Sequence, residues 1–380
     1  MKIASRGAVP PFFVMELMRM AGARERAGLG VWHLEVGQPS TPAPRKALEA
    51  AQRALFADKL GYTDALGVPE LRAAIAGWYK TRYGVDLSPS RVCVTTGSSG
   101  AFQVGFLAAF EVGDRVAMAS PSYPAYRHTL TAIGAVPVEL ETGPETGFHP
   151  TPEMLDKLDR PVQGLIVASP ANPTGSMLAP EELARLSDWC KANDVRLVSD
   201  EIYHGLTYGK KEATAAALND DALVINSFSK YFSMTGWRLG WMIVPEDMAR
   251  SVESLTQNLF ISAPAVSQAA ALAAFDAVDE LEGHVARYAR NRELLLRELP
   301  KAGFTRIAPA DGAFYLWADV SDITDDSEAF CHRMLEETGV TTTPGIDFDP
   351  RRGRRFVRFA YARDEAHIAE AVERLLAWRG

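Results

Sequence analysis

The sequence predicts an α/β protein: a large domain with a mostly parallel sheet covered by helices, plus a smaller α+β domain. Three observations predict this. Short β-rich runs alternate with helical patterns through the middle of the chain, the rhythm of successive strand–helix–strand units. Some of those runs are apolar at nearly every position, Gly164–Ala168 most clearly, as strands buried on both faces must be. After about Phe275 a long charged helical pattern opens a segment of mixed strands and helices with its own apolar positions.

The elements follow in order. Val92–Thr95 reads as a strand and Ser98–Phe110 as a helix; Arg115–Ala119 and Ala135–Leu140 are further strands. Gly164–Ala168 leads to a helix at Pro180–Ala192, where proline occupies the first turn and Glu181 and Glu182 complement the helix dipole. Val195–Ser199 and Leu223–Asn226 are again buried-strand runs. The C-terminal part reads as a helix over Asp279–Leu299, a strand at Ala313–Asp319, a helix at Ser327–Thr338, a strand at Arg355–Tyr361 and a helix at Asp364–Trp378. The reading divides the chain into an N-terminal segment, 1–46, that packs with the small domain, a large domain, 47–275, and a small C-terminal domain, 276–380. The proline and glycine content of the first segment argues against a third domain.

Composition narrows the function classes. The 380 residues suffice for two domains, and 47% hydrophobic with 23% charged residues is ordinary for a globular chain. A net charge of −8 argues against a nucleic-acid surface. The one dense basic run, Arg351, Arg352, Arg354 and Arg355, is expected to be a solvated loop. Cys93, Cys190 and Cys331 have no metal-ligand spacing, which fits free thiols in a reducing compartment. With no signal-peptide pattern at the N-terminus and no apolar run of about 20 residues, a cytoplasmic location and no membrane association are expected.

Four polar motifs fall just beyond the carboxyl ends of inferred strands, where open α/β sheets bind ligands. In TTGSSGA, Ser98, Ser99 and Gly100 open a helix whose free N–H groups suit an anion, although such a turn also serves simply as a cap. In SPANPTG, two prolines and a glycine hold Asn172 rigidly, either as a ligand-facing amide or in an Asx turn. In SDEIY, Asp200 ends an apolar strand, where an unpaired carboxylate is costly. It calls for a cationic partner such as a protonated pyridine, unless it caps a helix, and Tyr203 follows three residues on. In SFSKYFSMTGWRLG, Lys230 sits among aromatic residues that lower an amine's pKa. Ser227, Ser229 and Arg238 beside it suit a phosphate, and a surface-lysine reading accounts poorly for them.

In SPANPTG, SDEIY and SFSKYFSMTGWRLGW, taken in that order, the chain resembles the class I and II aminotransferases, fold type I enzymes of the aspartate aminotransferase superfamily that depend on pyridoxal 5′-phosphate (PLP). The resemblance implies that Lys230 forms a Schiff base with PLP and serves as general base, and that Asp200 pairs with the pyridinium nitrogen. It further implies that Asn172 and Tyr203 bond the ring oxygen, and that Tyr123 stacks on the ring. Ser98, Ser99, Gly100, Ser227, Ser229 and Arg238 would surround the phosphate. Tyr62 would reach the phosphate of a neighbouring subunit, which implies a homodimer with shared active sites. Arg358, in RFVRFAYA, would clamp the substrate α-carboxylate, with Gly37 adding an N–H. The family often has cis bonds at the positions of Ser120–Pro121 and Asn172–Pro173.

The implied reaction moves an amino group from an L-amino acid to a 2-oxo acid. A carbon–sulfur β-lyase would use the same residues. A PLP-sensing regulator is disfavoured, because the pattern of the cofactor domain begins within the first hundred residues. Some family members place at the position of Ser99 a lysine that binds a distal carboxylate; serine there weakly disfavours aspartate. The family segment Pro-Gly…Phe-Gly reads Pro344-Gly345-Ile346-Asp347-Phe348-Asp349 here, near the expected substrate entrance. Trp32, Phe12 and Phe13 are candidates for an apolar side-chain pocket or for core packing. His33, His128 and His204 lack ligand spacing and are read as structural or exposed.

Overall fold

The computed structural model describes residues 4–57 and 60–378; the outermost residues of the predicted N- and C-terminal segments therefore lie outside the described residues. The strands are β1 (Trp32–His33), β2 (Val92–Thr95), β3 (Arg115–Ser120), β4 (Val136–Glu141), β5 (Gly164–Ala168), β6 (Arg196–Asp200), β7 (Leu223–Ser227), β8 (Gly240–Ile243), β9 (Arg306–Ile307), β10 (Tyr315–Asp319), β11 (Val340–Thr341), β12 (Thr343–Pro344) and β13 (Phe356–Ala360). Strands β2 to β8 form one sheet in the order β2-β8-β7-β6-β5-β3-β4. It is parallel except at β8, which runs antiparallel to both β2 and β7. The expected mostly parallel sheet is therefore present.

Strand alternation explains why this sheet is buried. On β2, β3, β5, β7 and β8, neighbouring residues enter different apolar clusters: Val94 and Cys93, Ala117 and Met118, Leu165 and Ile166, Val224 and Ile225, Trp241 and Met242. One face packs on the helices Gly97–Ala109, Pro124–Ile133 and Ala249–Leu259, and each fully buried aliphatic side chain contributes roughly 1.5–3 kcal/mol. The second sheet, antiparallel in the order β12-β13-β10-β9, is flanked by the helices Val278–Glu298, Ser327–Thr338 and Glu365–Ala377. The short β1 pairs in parallel with β11, so the opening segment is stitched to the C-terminal part of the chain.

Most predicted elements agree with the observed ones to within a residue or two. The sequence reading did not identify β8, because Gly240 looks like a turn residue. A Cβ there would come within 3.0 Å of the Ser98 amide nitrogen and 2.8 Å of the Asn226 carbonyl, so the strand needs glycine to pack against the Gly97 turn. The basic run departs from expectation at Arg352. That side chain is half-buried, pairs with Asp349, and donates to the carbonyls of Ser120 (2.5 Å) and Thr142 (3.0 Å). It ties the small-sheet side of the molecule to the end of β3, because buried carbonyls there need donors. The Ser120–Pro121, Asn172–Pro173 and also Ser169–Pro170 bonds are cis. All three cysteines are buried and free. Among the described residues, no helix is long and apolar enough to cross a membrane.

Candidate active site

A cavity of about 310 Å³ opens beyond the carboxyl ends of β5, β6 and β7, between the large sheet and the small one. Its lining includes Gly37, Ser98, Ser99, Tyr123, Asn172, Asp200, Tyr203, Ser229, Lys230, Arg238 and Arg358, and so it brings together most of the residues that the sequence singled out.

Asp200 is the last residue of β6 and is 3% exposed. Its carboxylate accepts from the Tyr126 hydroxyl and, at 3.1 Å, from the Ile202 N–H. Burial pushes its pKa up to about 6 despite those two donors. Lys230 follows β7, and its Nζ donates to the Gly37 carbonyl at 2.6 Å. Burial, and after it Arg358 and Arg238, pushes the amine down to about 8. A Cβ on Gly37 would collide with the Tyr315 hydroxyl, so glycine is what permits this approach. Tyr203 bonds that same hydroxyl at 2.7 Å.

Arg358, on β13, is buried between the rings of Tyr315 and Phe348, 4.4 and 4.7 Å from their centroids. It donates to Asn172 Oδ1 at 2.9 Å, to the Glu35 carbonyl at 2.5 Å and to Thr343 Oγ1 at 3.2 Å. Its buried Nε has no hydrogen-bond partner among the described residues. Because Asn172 spends its carbonyl on Arg358, its amide N–H groups remain available to a ligand.

A helix N-terminus also borders the cavity, with chemistry suited to an anion. The helix Gly97–Ala109 starts at the cavity with Ser98 and Ser99 in its first turn, where N–H groups lack intrahelical partners. Arg238, in the left-handed region at φ 52°, lays its guanidinium over Gly97 and donates to the Thr235 carbonyl at 3.0 Å. Ser229 borders the cavity, while Ser227 lies beneath it, its hydroxyl 2.9 Å from that of Ser229. Gly100 sits behind Ser98 and Ser99, where a Cβ would collide with the Thr96 hydroxyl.

Tyr62 is not part of the cavity; it is 83% exposed. Phe12 lines the cavity and stacks on Tyr123, centroids 6.4 Å apart. Phe13 and Trp32 do not line it, and Trp32 packs under Arg374 instead. Of the histidines, His33 is held between Glu25 and Glu35, and His204 meets Tyr83; neither borders the cavity. Tyr126, Thr235, Tyr315, Met15 and Met18 line the cavity without having been singled out for it, whereas Asp347 and Phe348 bring to it the segment expected near the substrate entrance. Only Tyr126 left a usable signal: it lies one helical turn after Tyr123, on the same face.

This architecture, with a site at the edge of a mostly parallel sheet and a lysine, an aspartate and an arginine facing one another, matches aminotransferase structures of fold type I. The crystal structure of an aminotransferase from Mycobacterium tuberculosis superposes with a TM-score of 0.98 at 51% identity, covering 100% of this chain and 99% of that one. The aspartate aminotransferase of Thermus thermophilus with maleate superposes with a TM-score of 0.92 at 32% identity, each chain being 99% covered. Among curated sequences, valine–pyruvate aminotransferase of M. tuberculosis is 51% identical over 99% of this chain and 98% of its own length. Residues 30–375 match the family model for aminotransferase class I and II. The chain belongs to that family. It is an aminotransferase, an enzyme that moves an amino group between an amino acid and a keto acid.

Proposed function

We propose that this enzyme takes the amino group from an L-amino acid with an apolar side chain and passes it to a small 2-oxo acid, using PLP held by Lys230. The observation that carries the substrate class is the make-up of the cavity wall. The cations lining the cavity, among the described residues, are Lys230, Arg238 and Arg358, each with a role toward the cofactor or the α-carboxylate. Phe12, Val14, Met15, Met18 and Phe348 give the wall an apolar stretch, and the other ionisable groups beside it, Glu35 and Asp347, are acidic. The relative named valine–pyruvate aminotransferase supports the same reading, as does serine rather than lysine at position 99.

The residues fit PLP. Asp200 offers a buried carboxylate in need of a cation, Lys230 a depressed amine, and the Gly97 turn with Arg238 a phosphate cradle that a single Cβ would fill. When bound, the cofactor supplies an electron sink for the bond between substrate Cα and hydrogen. Asp200 would pair with the protonated ring nitrogen, and the Lys230 amine would serve as the base for the substrate Cα proton. Arg358 fixes the substrate carboxylate through its unpartnered Nε, Gly37 adds an N–H, and Asn172 and Tyr203 donate to the ring oxygen. Tyr123 would pack against the ring, and Ser98, Ser99, Gly100, Ser227, Ser229 and Arg238 would surround the phosphate.

In this reading the chain works as a homodimer, with Tyr62 completing the partner's phosphate site. The exposure of Tyr62 and of Phe56 (88%) and Ile261 (50%) supports it. The division into residues 1–46, 47–275 and 276–380 is part of the same proposal, supported by the β1–β11 pairing and the two separate sheets. So is a cytoplasmic location, with which three free thiols agree.

The test is a half-reaction screen. PLP-loaded protein is mixed separately with valine, leucine, alanine and aspartate, and loss of the lysine-bound cofactor absorbance is followed. Pyruvate should then restore the band and yield alanine. Fastest reaction with aspartate would contradict the substrate class. Release of pyruvate and ammonia from a cysteine substrate without any oxo-acid acceptor, in place of transamination, would favour the β-lyase reading.

A further inference from the structure

The segment Pro344-Gly345-Ile346-Asp347-Phe348-Asp349 puts a carboxylate at position 347 on the cavity wall. Asp347 is 5% exposed, and its two oxygens accept from two successive backbone donors, Phe13 N–H at 2.8 Å and Val14 N–H at 3.0 Å. These open the helix Phe13–Arg26, whose N-cap residue, Phe12, provides no side-chain cap. A carboxylate more than three hundred residues away in the chain thus satisfies two of its four orphan N–H groups and complements its dipole.

The anchor itself is fixed. Arg127 donates to the Asp347 carbonyl at 3.1 Å and pairs with Glu139 at 2.6 Å, and Ser122 N–H donates to the Phe348 carbonyl at 3.1 Å. The anchored helix is otherwise lightly held, with only Leu17 and Ala21 among its residues buried. Yet Val14, Met15 and Met18 from this helix, with Phe12 before it, build an apolar stretch of the cavity wall. Met15 and Met18 are 56% and 38% exposed, so packing behind them does not set their position.

We infer that Asp347 is a specificity-determining positioning residue: by anchoring the first turn of the helix Phe13–Arg26 it places the wall that receives a branched apolar side chain, and its carboxylate disfavours substrates with an anionic side chain. The inference deepens the substrate reading given above and rests on it. Discrimination against acidic substrates follows from charge of like sign at the cavity wall, and preference for valine over alanine follows from contact with the positioned methionines.

Asp347→Ala and Asp347→Asn, made in the full-length PLP-loaded enzyme, test it. Three donors, valine, alanine and aspartate, are assayed with a common oxo-acid acceptor, and amide exchange is followed over residues 13–18. In Asp347→Ala, exchange should quicken and kcat/KM for valine should fall about tenfold, mainly through KM, while alanine changes less than about threefold. Asp347→Asn keeps one acceptor and loses the charge, so valine should fall less than in Asp347→Ala while aspartate improves by about tenfold. A parallel fall for valine and alanine, or an aspartate rate untouched by Asp347→Asn, overturns the inference. The two possible failures are distinguishable: unchanged exchange in Asp347→Ala rejects the anchor alone, whereas a wild type inert toward valine rejects the substrate reading and the selectivity with it.

Discussion

Arg358 is held by two acceptor residues on one side and Asn172 on the other, and it still keeps Nε free in a buried setting. A buried guanidinium N–H without a partner costs roughly 1–3 kcal/mol, a cost that a bound carboxylate would remove. Arg358→Lys should therefore raise KM for the amino acid by at least about tenfold with a smaller effect on kcat, because an ammonium cannot reproduce the planar fork; steady-state kinetics check this. Asp200 follows the same logic. A shift from 3.8 to about 6 corresponds to about 3 kcal/mol favouring its neutral form, which a cation in the cavity offsets. Stability from its protonation is full below the ordinary carboxylate range and is lost as pH rises through about 6. Asp200 and Lys230 were legible in the sequence because a charged residue at the end of an apolar strand needs explaining, whereas Arg358 was marked by the family resemblance. Tyr315 was not legible, since a buried tyrosine reads as core until the strand that carries it is placed, and Tyr126 was marked only by its helical spacing from Tyr123.

At the scale of elements, the N-terminus of the helix Gly97–Ala109 supplies the proposed phosphate site. Gly97 has φ +73°, and a Cβ on it would sit 2.6 Å from an Arg238 guanidinium nitrogen. Gly97→Ala should add about 1 kcal/mol of backbone strain and displace Arg238 as well. Affinity for PLP is expected to fall by about tenfold or more, measurable by titrating cofactor into stripped protein. The elements assigned from apolar periodicity agree with the structure to within a residue or two, but helices such as Phe13–Arg26, Arg45–Ala57 and Pro69–Tyr83 were not assigned. Also unread were β8, hidden by a glycine needed for close packing, and the long-range cap that Asp347 places on the helix Phe13–Arg26. Neither leaves a local pattern, because each depends on a segment distant in the chain.

At the scale of the molecule, two sheets of opposite character meet at one cavity, and residues from positions 12 to 358 converge there. The sequence indicated the two-part build through its change in periodicity, and it marked the cavity through motifs at strand ends. It did not show that Arg352 would tie the small-sheet side to β3, since a basic run looks the same whether solvated or buried. All of this converges on Lys230, whose amine stands at the cavity with a pKa near 8. The most direct measurement is borohydride reduction of the protein after PLP addition at a series of pH values, followed by peptide mapping. The label should fall on Lys230, and its rate of capture should rise as pH increases through about 8, where the neutral amine becomes available. A label on another lysine, or none, would contradict the account.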